Sequence, residues 1–274
     1  MLTSKSIAIL VAISSATVAF CQRPGDLVVT PTRIVLDDKG RSGDITLLNR
    51  SARPMRYRLT LVDMEMTQDG ILKRVPTGSG HSAVNVLRLS PREIVLAPGT
   101  SQRIKIAAFF PAGQPDGELR SHLAFEPIAP PKEPMLAESD DPNAVRISFD
   151  IRSVVTIPVV ARHGKTAATA TIVEPEVIRA DKGWDARFKI QRSGTRSVRG
   201  DVKVSFIPAK GGPVVLLGQI AALPVYFPNS DRIVTVRLSQ DVAALGKGTI
   251  EITFAEPERM RGSTSTKASI AAPG

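Results

Sequence analysis

The chain has 274 residues and a formal net charge of +10, while aromatic residues make up 4% of it. Basic patches supply most of the sequence-independent affinity of proteins for nucleic acid, but so few aromatic residues offer few stacking platforms for single strands. The chain also begins like an exported protein. We therefore exclude nucleic acid as the partner and interpret the basic charge as suited to an anionic envelope surface or an acidic protein partner.

The first residues are typical of a secretory signal peptide. An apolar run of small residues extends from Ile7 to Phe20, and it is shorter than the ~20 apolar residues that a membrane-spanning helix needs. We predict that residues 1–21 are removed, after Ala19 or Cys21, and that the mature protein is exported. Lipid modification of Cys21 is the alternative, which the bulky Phe20 disfavours. Cys21 is the sole cysteine, so no internal disulfide is expected, and no later segment is predicted to span a membrane.

The next part of the chain, 26–162, alternates apolar and polar residues in short runs that are separated by Gly, Pro, Asn, Asp and Ser. This pattern predicts an antiparallel β-sandwich and no amphipathic helix. The expected strands are LVVTPTRIVL, GDITLLN, MRYRLTLVD, REIVLAPG, SQRIKIAAFF, RSHLAFEPI and VRISFDIRSVVTIPVV.

A second series of such runs predicts another sandwich over 163–256, after a short polar turn near His163. Its expected strands are AATATIV, WDARFKIQR, RGDVKVSFIP, GPVVLLGQI, RIVTVRLS and GTIEITF. A mature chain of about 250 residues is long enough for two domains of ~100–150 residues each. The tail 257–274 has low hydrophobicity, and we predict that it is disordered.

The segment VRISFDIR follows a long irregular stretch that is rich in proline and acidic residues, and it alternates strictly between apolar and polar positions. Its apolar face either packs into the core of its own domain or serves another molecule. After Ser153 the sequence becomes VVTIPVV, which is apolar on both faces, as in a strand that is buried in its own domain. The pattern thus changes at Ser153 from one apolar face to two. This change favours the interpretation that the apolar face before Ser153 serves another molecule.

No set of residues in the sequence supports an enzyme, a metal site or a cofactor. His81, His122 and His163 have no cysteine or carboxylate at metal-ligand spacing, so we expect hydrogen-bonded or exposed histidines. The segment GSGHS lacks the G-x-S-x-G pattern of a nucleophile loop, and GKGT lacks the residue order of a phosphate loop. We interpret both segments as turns and assign no catalytic residue.

Taken together, the predicted export, the two sandwiches and the two-faced strand resemble the periplasmic pilus-assembly chaperones, the PapD-like family. The resemblance lies mainly in 26–162, and it is carried by VVTPTRIVLDD, GDITLLNRSARPMRYRL, LSPREIVLAPGTSQRIKI and ELRSHLAFEPIAPP. It implies an all-β protein of two immunoglobulin-like β-sandwich domains in an L or boomerang arrangement. It also implies that the partners are secreted pilus or fimbrial subunits and an outer-membrane usher, with self-association as a further expectation.

In that family the last strand of the first domain is lent to a subunit whose own sandwich lacks a strand. The resemblance implies that VRISFDIR is the donor strand and that four apolar residues enter the subunit groove, namely Val145, Ile147, Phe149 and Ile151.

Two cations of the family hold the carboxylate at the C-terminus of the subunit. Arg33 matches the first of them. The second, a lysine in the family, falls at or near Val154, and the closest basic residue is Arg152. The resemblance further implies an interdomain salt bridge that uses Glu126 and Arg162, with an acidic third member in domain two that the sequence does not identify. For Arg33, the alternative is a charge at a sheet edge that prevents aggregation.

A different class of function also fits the composition. In this alternative, the chain is a non-enzymatic envelope module that binds anionic glycans or lipids through basic residues, among them Arg50, Arg53, Arg56 and Arg58.

Overall fold

The computed structural model describes residues 26–78, 80–128, 153–257 and 262–273. Residues 1–25, which include the predicted signal peptide and Cys21, lie outside this part of the chain. The predicted donor strand and Arg152 lie outside it as well. Among the described residues, no helix is long and apolar enough to cross a membrane.

The first domain is an immunoglobulin-like sandwich of two sheets. One sheet has the strand order β1-β3-β8-β6, and the other has the order β2-β10-β9-β4-β5, with β7 also paired to β4. The strands are β1 (Leu27–Thr30), β2 (Ile34–Leu36), β3 (Ser42–Asn49), β4 (Met55–Met66), β5 (Leu72–Val75), β6 (Leu87–Ser90), β7 (Glu93–Leu96), β8 (Ser101–Ala108), β9 (Gly117–Pro127) and β10 (Val155–His163). The segment LVVTPTRIVL is thus two strands in different sheets, since β1 pairs with β3 and β2 pairs in parallel with β10.

The second domain is also an immunoglobulin-like sandwich. Its sheets have the strand orders β11-β12-β15 and β14-β13-β16-β17. The elements are β11 (Ala168–Ala180), β12 (Gly183–Gly194), β13 (Val198–Pro208), β14 (Val215–Val225), β15 (Asp231–Arg237), a short 3-10 helix (Val242–Leu245), β16 (Gly248–Ala255) and β17 (Ser265–Ala271).

Each domain has its own apolar core, because the period-2 alternation of the strands turns one face of each sheet towards the facing sheet. Ile45, Ile104 and Phe125 are fully buried in the first core, and Phe188 and Phe254 are buried in the second. A short connection joins the cores, since β10 ends at His163 and β11 begins at Ala168.

The prediction that 257–274 is disordered is wrong for the residues of β17. This strand pairs along its whole length with β16, and its half-buried Ala268 and Ile270 pack against the second core. The composition of the tail gives a weak hydrophobic signal because every second side chain of β17 faces solvent. The strand is instead stabilised by the open edge of β16, which offers it a full set of backbone hydrogen bonds.

Candidate functional site at the domain interface

The candidate site lies on the face of β2, β9 and β10 that points away from the first core. Ile34 and Val159 point into that core, and side chains next to them along the strands therefore point outwards. Domain two packs on this outward face. The Glu118 N–H donates to the Thr195 carbonyl at 3.1 Å, and the Arg120 guanidinium lies 4.0 Å from the centre of the Tyr226 ring.

A buried ion pair connects the two domains through a hydroxyl. Arg162 and Glu118 are opposite each other in the β9–β10 register, and the Arg162 Nε donates to the Glu118 Oε2 at 2.9 Å. The Ser197 hydroxyl of domain two donates to the other carboxylate oxygen of Glu118 and accepts the Phe227 N–H at 2.9 Å. The Glu118 side chain is 1% exposed, so the link is shielded from solvent.

The expected pairing of Arg162 with Glu126 is therefore wrong. Glu126 lies towards the other end of β9, where it is opposite Arg58 of β4, and its nearest cation is Arg74 at 3.9 Å. The eight positions between Glu118 and Glu126 correspond to roughly 26 Å of extended strand. The register between β9 and β10, which decides which acid faces Arg162, cannot be read from the spacing of the residues because a long segment separates the two strands. Ser197 lies in no sequence motif that indicates its role.

Arg33 directly precedes β2, and its guanidinium is buried with no hydrogen-bond partner among the described residues for Nε and Nη2. Burial is the main cause of its lowered pKa, and Arg162 and Arg199 lower the pKa further, whereas Glu118 opposes the shift. An arginine stays protonated in proteins, so this site holds a buried positive charge. A buried charge is costly unless it is paired.

Other arginines add positive charge around Arg33. The Nη2 of Arg162 and the Nε of Arg120 are also buried without a hydrogen-bond partner among the described residues. Arg199 lies two residues after Ser197 on the same side of the chain and is half-buried. Glu118 already accepts hydrogen bonds from Arg162 and Ser197. The site therefore has unused donors and excess positive charge, which suit a carboxylate.

The second predicted anchor stays a prediction because Arg152 lies outside the described residues. Ile34 of β2 is beside Val159 of β10, so one step back along the parallel register Pro158 lies beside Arg33. Val154, near which we expected the second cation, lies four residues before Pro158 and is 50% exposed. Within the described chain, the cations that act on Arg33 are Arg162 and Arg199.

His122 departs from the expectation of hydrogen-bonded or exposed histidines. Its side chain is buried on the same outward face, and neither ring nitrogen has a hydrogen-bond partner in the part of the chain that the structure describes. Burial, and then the charge of Arg120, lower its pKa from 6.5 to about 4, although Asp63 opposes the shift. His163, in contrast, has its Nδ1 3.0 Å from an Asp38 carboxylate oxygen, and His81 is exposed. In the described ranges, no three His, Cys, Asp or Glu side chains are grouped to hold a metal.

The chain is similar to several solved structures at low sequence identity. It aligns with a chain of the Salmonella enterica SafA pilin–SafB chaperone complex at 10% identity and a TM-score of 0.46, covering 91% of this chain and 99% of that chain. The class 5 fimbriae chaperone CfaA aligns at 13% identity and a TM-score of 0.45, and the alignment covers 90% of this chain and 99% of that chain. The E. coli chaperone DraB aligns at 14% identity and a TM-score of 0.42, and the alignment covers 90% of this chain and 95% of that chain.

No protein-family model matches the chain. No curated protein matches it either. The function is therefore inferred from the residues at the domain interface.

Proposed function

We propose that this chain is a periplasmic chaperone that binds secreted pilus or fimbrial subunits and passes them to an outer-membrane usher. The observation that carries the proposal is the buried guanidinium of Arg33, which has unpaired donors and lies among further cations. The C-terminal carboxylate of a subunit supplies the missing negative charge. The SafA pilin, which forms a complex with the SafB chaperone, is an example of the class of partner that we propose.

The edge of β10 supports the other half of the proposal, donor-strand complementation. Val155–Pro158 pair with β9 on one side, but β2 begins only opposite Val159. No strand among the described residues therefore covers the other side of Val155–Pro158. An uncovered edge can accept a strand from another protein. In the proposed complex this edge continues into VRISFDIR, and its apolar residues fill the subunit groove.

The proposed mechanism needs no catalytic group and no nucleotide, because the folding free energy of the subunit drives its transfer. The carboxylate at Arg33 sets the register of the subunit on the donor strand. Since Glu118 and Ser197 link the domains beside Arg33, the same interface holds both the anchor and the angle between the domains.

The alternative function, an envelope module for anionic glycans or lipids, has less support. Arg56 and Arg58 both bind the Glu93 carboxylate, at 2.8 and 3.2 Å, so part of that basic surface is already neutralised. The Nε and Nη2 of Arg33, in contrast, have no hydrogen-bond partner among the described residues.

Co-expression with candidate subunits tests the proposal. The secreted proteins encoded beside this gene are each co-expressed with the wild-type chain, and complexes are isolated through a tag on the chaperone. We expect one or more of these proteins to co-purify. We expect Arg33→Ala to reduce the yield, because losing one partner of a buried charge pair costs about 2 to 5 kcal/mol of binding free energy.

The exposed Arg50 provides the matched control, and Arg50→Ala should keep the wild-type yield. A subunit with one residue added after its C-terminus should bind as poorly as the wild-type subunit binds to Arg33→Ala, because its carboxylate is displaced. Equal yields from the wild type and Arg33→Ala contradict the proposed anchor. If none of these proteins co-purifies with the wild-type chain, the result contradicts the chaperone function and favours the envelope module.

A further inference from the structure

A second candidate site lies at the opposite edge of domain one, where the structure has a cavity of about 460 Å³. It occupies a gap in the pairing of β4. β7 pairs with Met55–Arg58 and β5 pairs with Asp63–Met66, so no described strand lies beside 59–62 on this side. The cavity is lined by Arg58, Leu59, Thr60, Leu61, Val84, Leu87, Arg88, Leu89, Arg92 and Glu93.

The gap leaves main-chain groups of β4 available for a ligand. The Leu59 N–H points away from β9, since it donates to the Arg92 carbonyl at 2.8 Å. Strand geometry repeats every two residues, so the N–H and the carbonyl of Leu61 point the same way. No backbone partner is found for them in the described ranges.

The interior of the cavity is apolar. Leu59 and Leu87 are buried, and Leu61, Val84 and Leu89 are half-buried. The side chains of Leu59 and Leu61 point towards the first core, whereas the side chain of Thr60, between them on β4, lies on the other face of the sheet. The polar groups that the cavity offers are therefore the main-chain groups of Leu61 and the guanidiniums at its rim.

The rim of the cavity carries excess positive charge. Its one carboxylate, Glu93, is bound by Arg56 and Arg58. Arg88 donates through Nη1 to the carbonyls of Asn85 and Leu87 at 2.9 Å, which holds its guanidinium at the rim. Arg88 and Arg92 form no ion pair among the described residues. The two guanidiniums are therefore available to an anion.

We propose that this cavity binds a single-chain anionic amphiphile, of which a medium-chain fatty acid is the simplest example. The tail packs on Leu61, Leu87 and Leu89, and the anionic head group accepts hydrogen bonds from Arg92 at the rim. The volume lies within the ~300–1,000 Å³ range of small-molecule sites. An added peptide strand fits less well, because the gap is closed by β7 and β5 and is shorter than a usual strand of ~5–6 residues. This site is separate from Arg33 and does not depend on the proposed chaperone function.

A fluorescence displacement assay on the purified full-length protein tests this site. The probe is 11-(dansylamino)undecanoic acid, and the competitors are dodecanoate, 1-dodecanol, dodecyltrimethylammonium, a lysophosphatidylglycerol and a short acidic peptide with alternating leucines. We expect saturable probe binding. We expect dodecanoate to displace the probe at about tenfold lower concentration than 1-dodecanol, as for a gain of one charge-assisted hydrogen bond. If lysophosphatidylglycerol displaces the probe at a lower concentration than dodecanoate does, the anion that the site binds is a lipid head group.

Variants assign the binding to the cavity. Arg92→Ala changes an exposed rim residue without disturbing the fold, and we expect it to weaken probe binding about tenfold. Leu61→Trp fills the cavity and should abolish binding. Because Leu61 also packs against the first core, its melting transition is measured beside that of Arg92→Ala, which should keep the wild-type transition. Arg50→Ala is the charge-matched control and should bind as the wild type does.

Four results overturn the proposal. They are the absence of saturable binding, equal displacement by dodecanoate and 1-dodecanol, wild-type affinity in Arg92→Ala, and displacement by the peptide at lower concentrations than by dodecanoate.

Discussion

Acidification should destabilise the protein through His122, whose buried imidazole has a pKa of about 4 in place of 6.5. The unfolded chain binds a proton at this residue as the pH falls below about 6.5, but the folded chain does not until about pH 4. The unfolded state therefore binds more protons in this window. The contribution of His122 to stability is complete above pH 6.5 and is lost as the pH falls towards 4.

The size of this effect follows from the shift of the pKa. One pKa unit corresponds to about 1.4 kcal/mol, so the shift from 6.5 to about 4 amounts to about 3 kcal/mol at the acid limit. About 2 kcal/mol of this is already lost at pH 5. Such a loss is a large part of the ~5–15 kcal/mol that stabilises a typical domain.

Urea unfolding at several pH values between 7.5 and 4.5 measures this loss for the wild type and for His122→Leu. We expect the variant to lose about 2 kcal/mol less than the wild type between pH 7.5 and 5. His81→Leu, which makes the same replacement at an exposed histidine, is measured as the matched control. An equal loss of unfolding free energy in the wild type and in His122→Leu refutes the reasoning. The comparison is made within each variant, so a change in overall stability does not affect it.

Three further predictions concern other parts of the chain. Glu118→Gln should lower the free energy of unfolding by about 3 to 5 kcal/mol, because it leaves buried arginines unpaired, and the control Glu126→Gln should change it by less than about 1 kcal/mol in urea titrations. Similar effects of the two changes contradict the assignment of the interdomain link. The double change of Ile147 and Phe149 to Ser should abolish co-purification of a subunit while the melting temperature stays within a few degrees of the wild type. A large drop in the melting temperature contradicts the donor strand and indicates that VRISFDIR packs in the core of its own domain. Ile270→Asp should destabilise domain two by about 2 kcal/mol, whereas Ser269→Asp on the solvent side of β17 should be nearly neutral by chemical denaturation. A neutral Ile270→Asp contradicts the packing of β17.

The two sandwiches were predictable from the sequence because the signals for strands and turns are local. A period of two residues appears within single runs such as SQRIKIAA, and turn residues separate these runs. β17 was not predicted because its stability comes from pairing with β16, and the composition of the tail alone does not show that pairing.

The candidate site was predictable only in part. Arg33 stands out in sequence through its place in VVTPTRIVL, and the structure brings it to the domain interface. The pairing of Arg162 with Glu118 depends on the register between β9 and β10, and alternation within each strand leaves that register open. Ser197 reaches Glu118 only because domain two packs on the outward face of β9.

The sequence by itself determined that the chain is all-β, which residues of each strand face a core, and that basic side chains outnumber acidic ones. Those properties depend on residue type and on spacing within one strand. Only the tertiary structure decided which charges meet and which stay unpaired, because burial and neighbours depend on segments distant in the chain. Arg33 and His122 both lie on the outward face of the sheet, where a strand pattern predicts contact with solvent. The packing of domain two on that face removes the solvent. This leaves the Nε and Nη2 of Arg33 without a hydrogen-bond partner among the described residues and the imidazole of His122 uncharged.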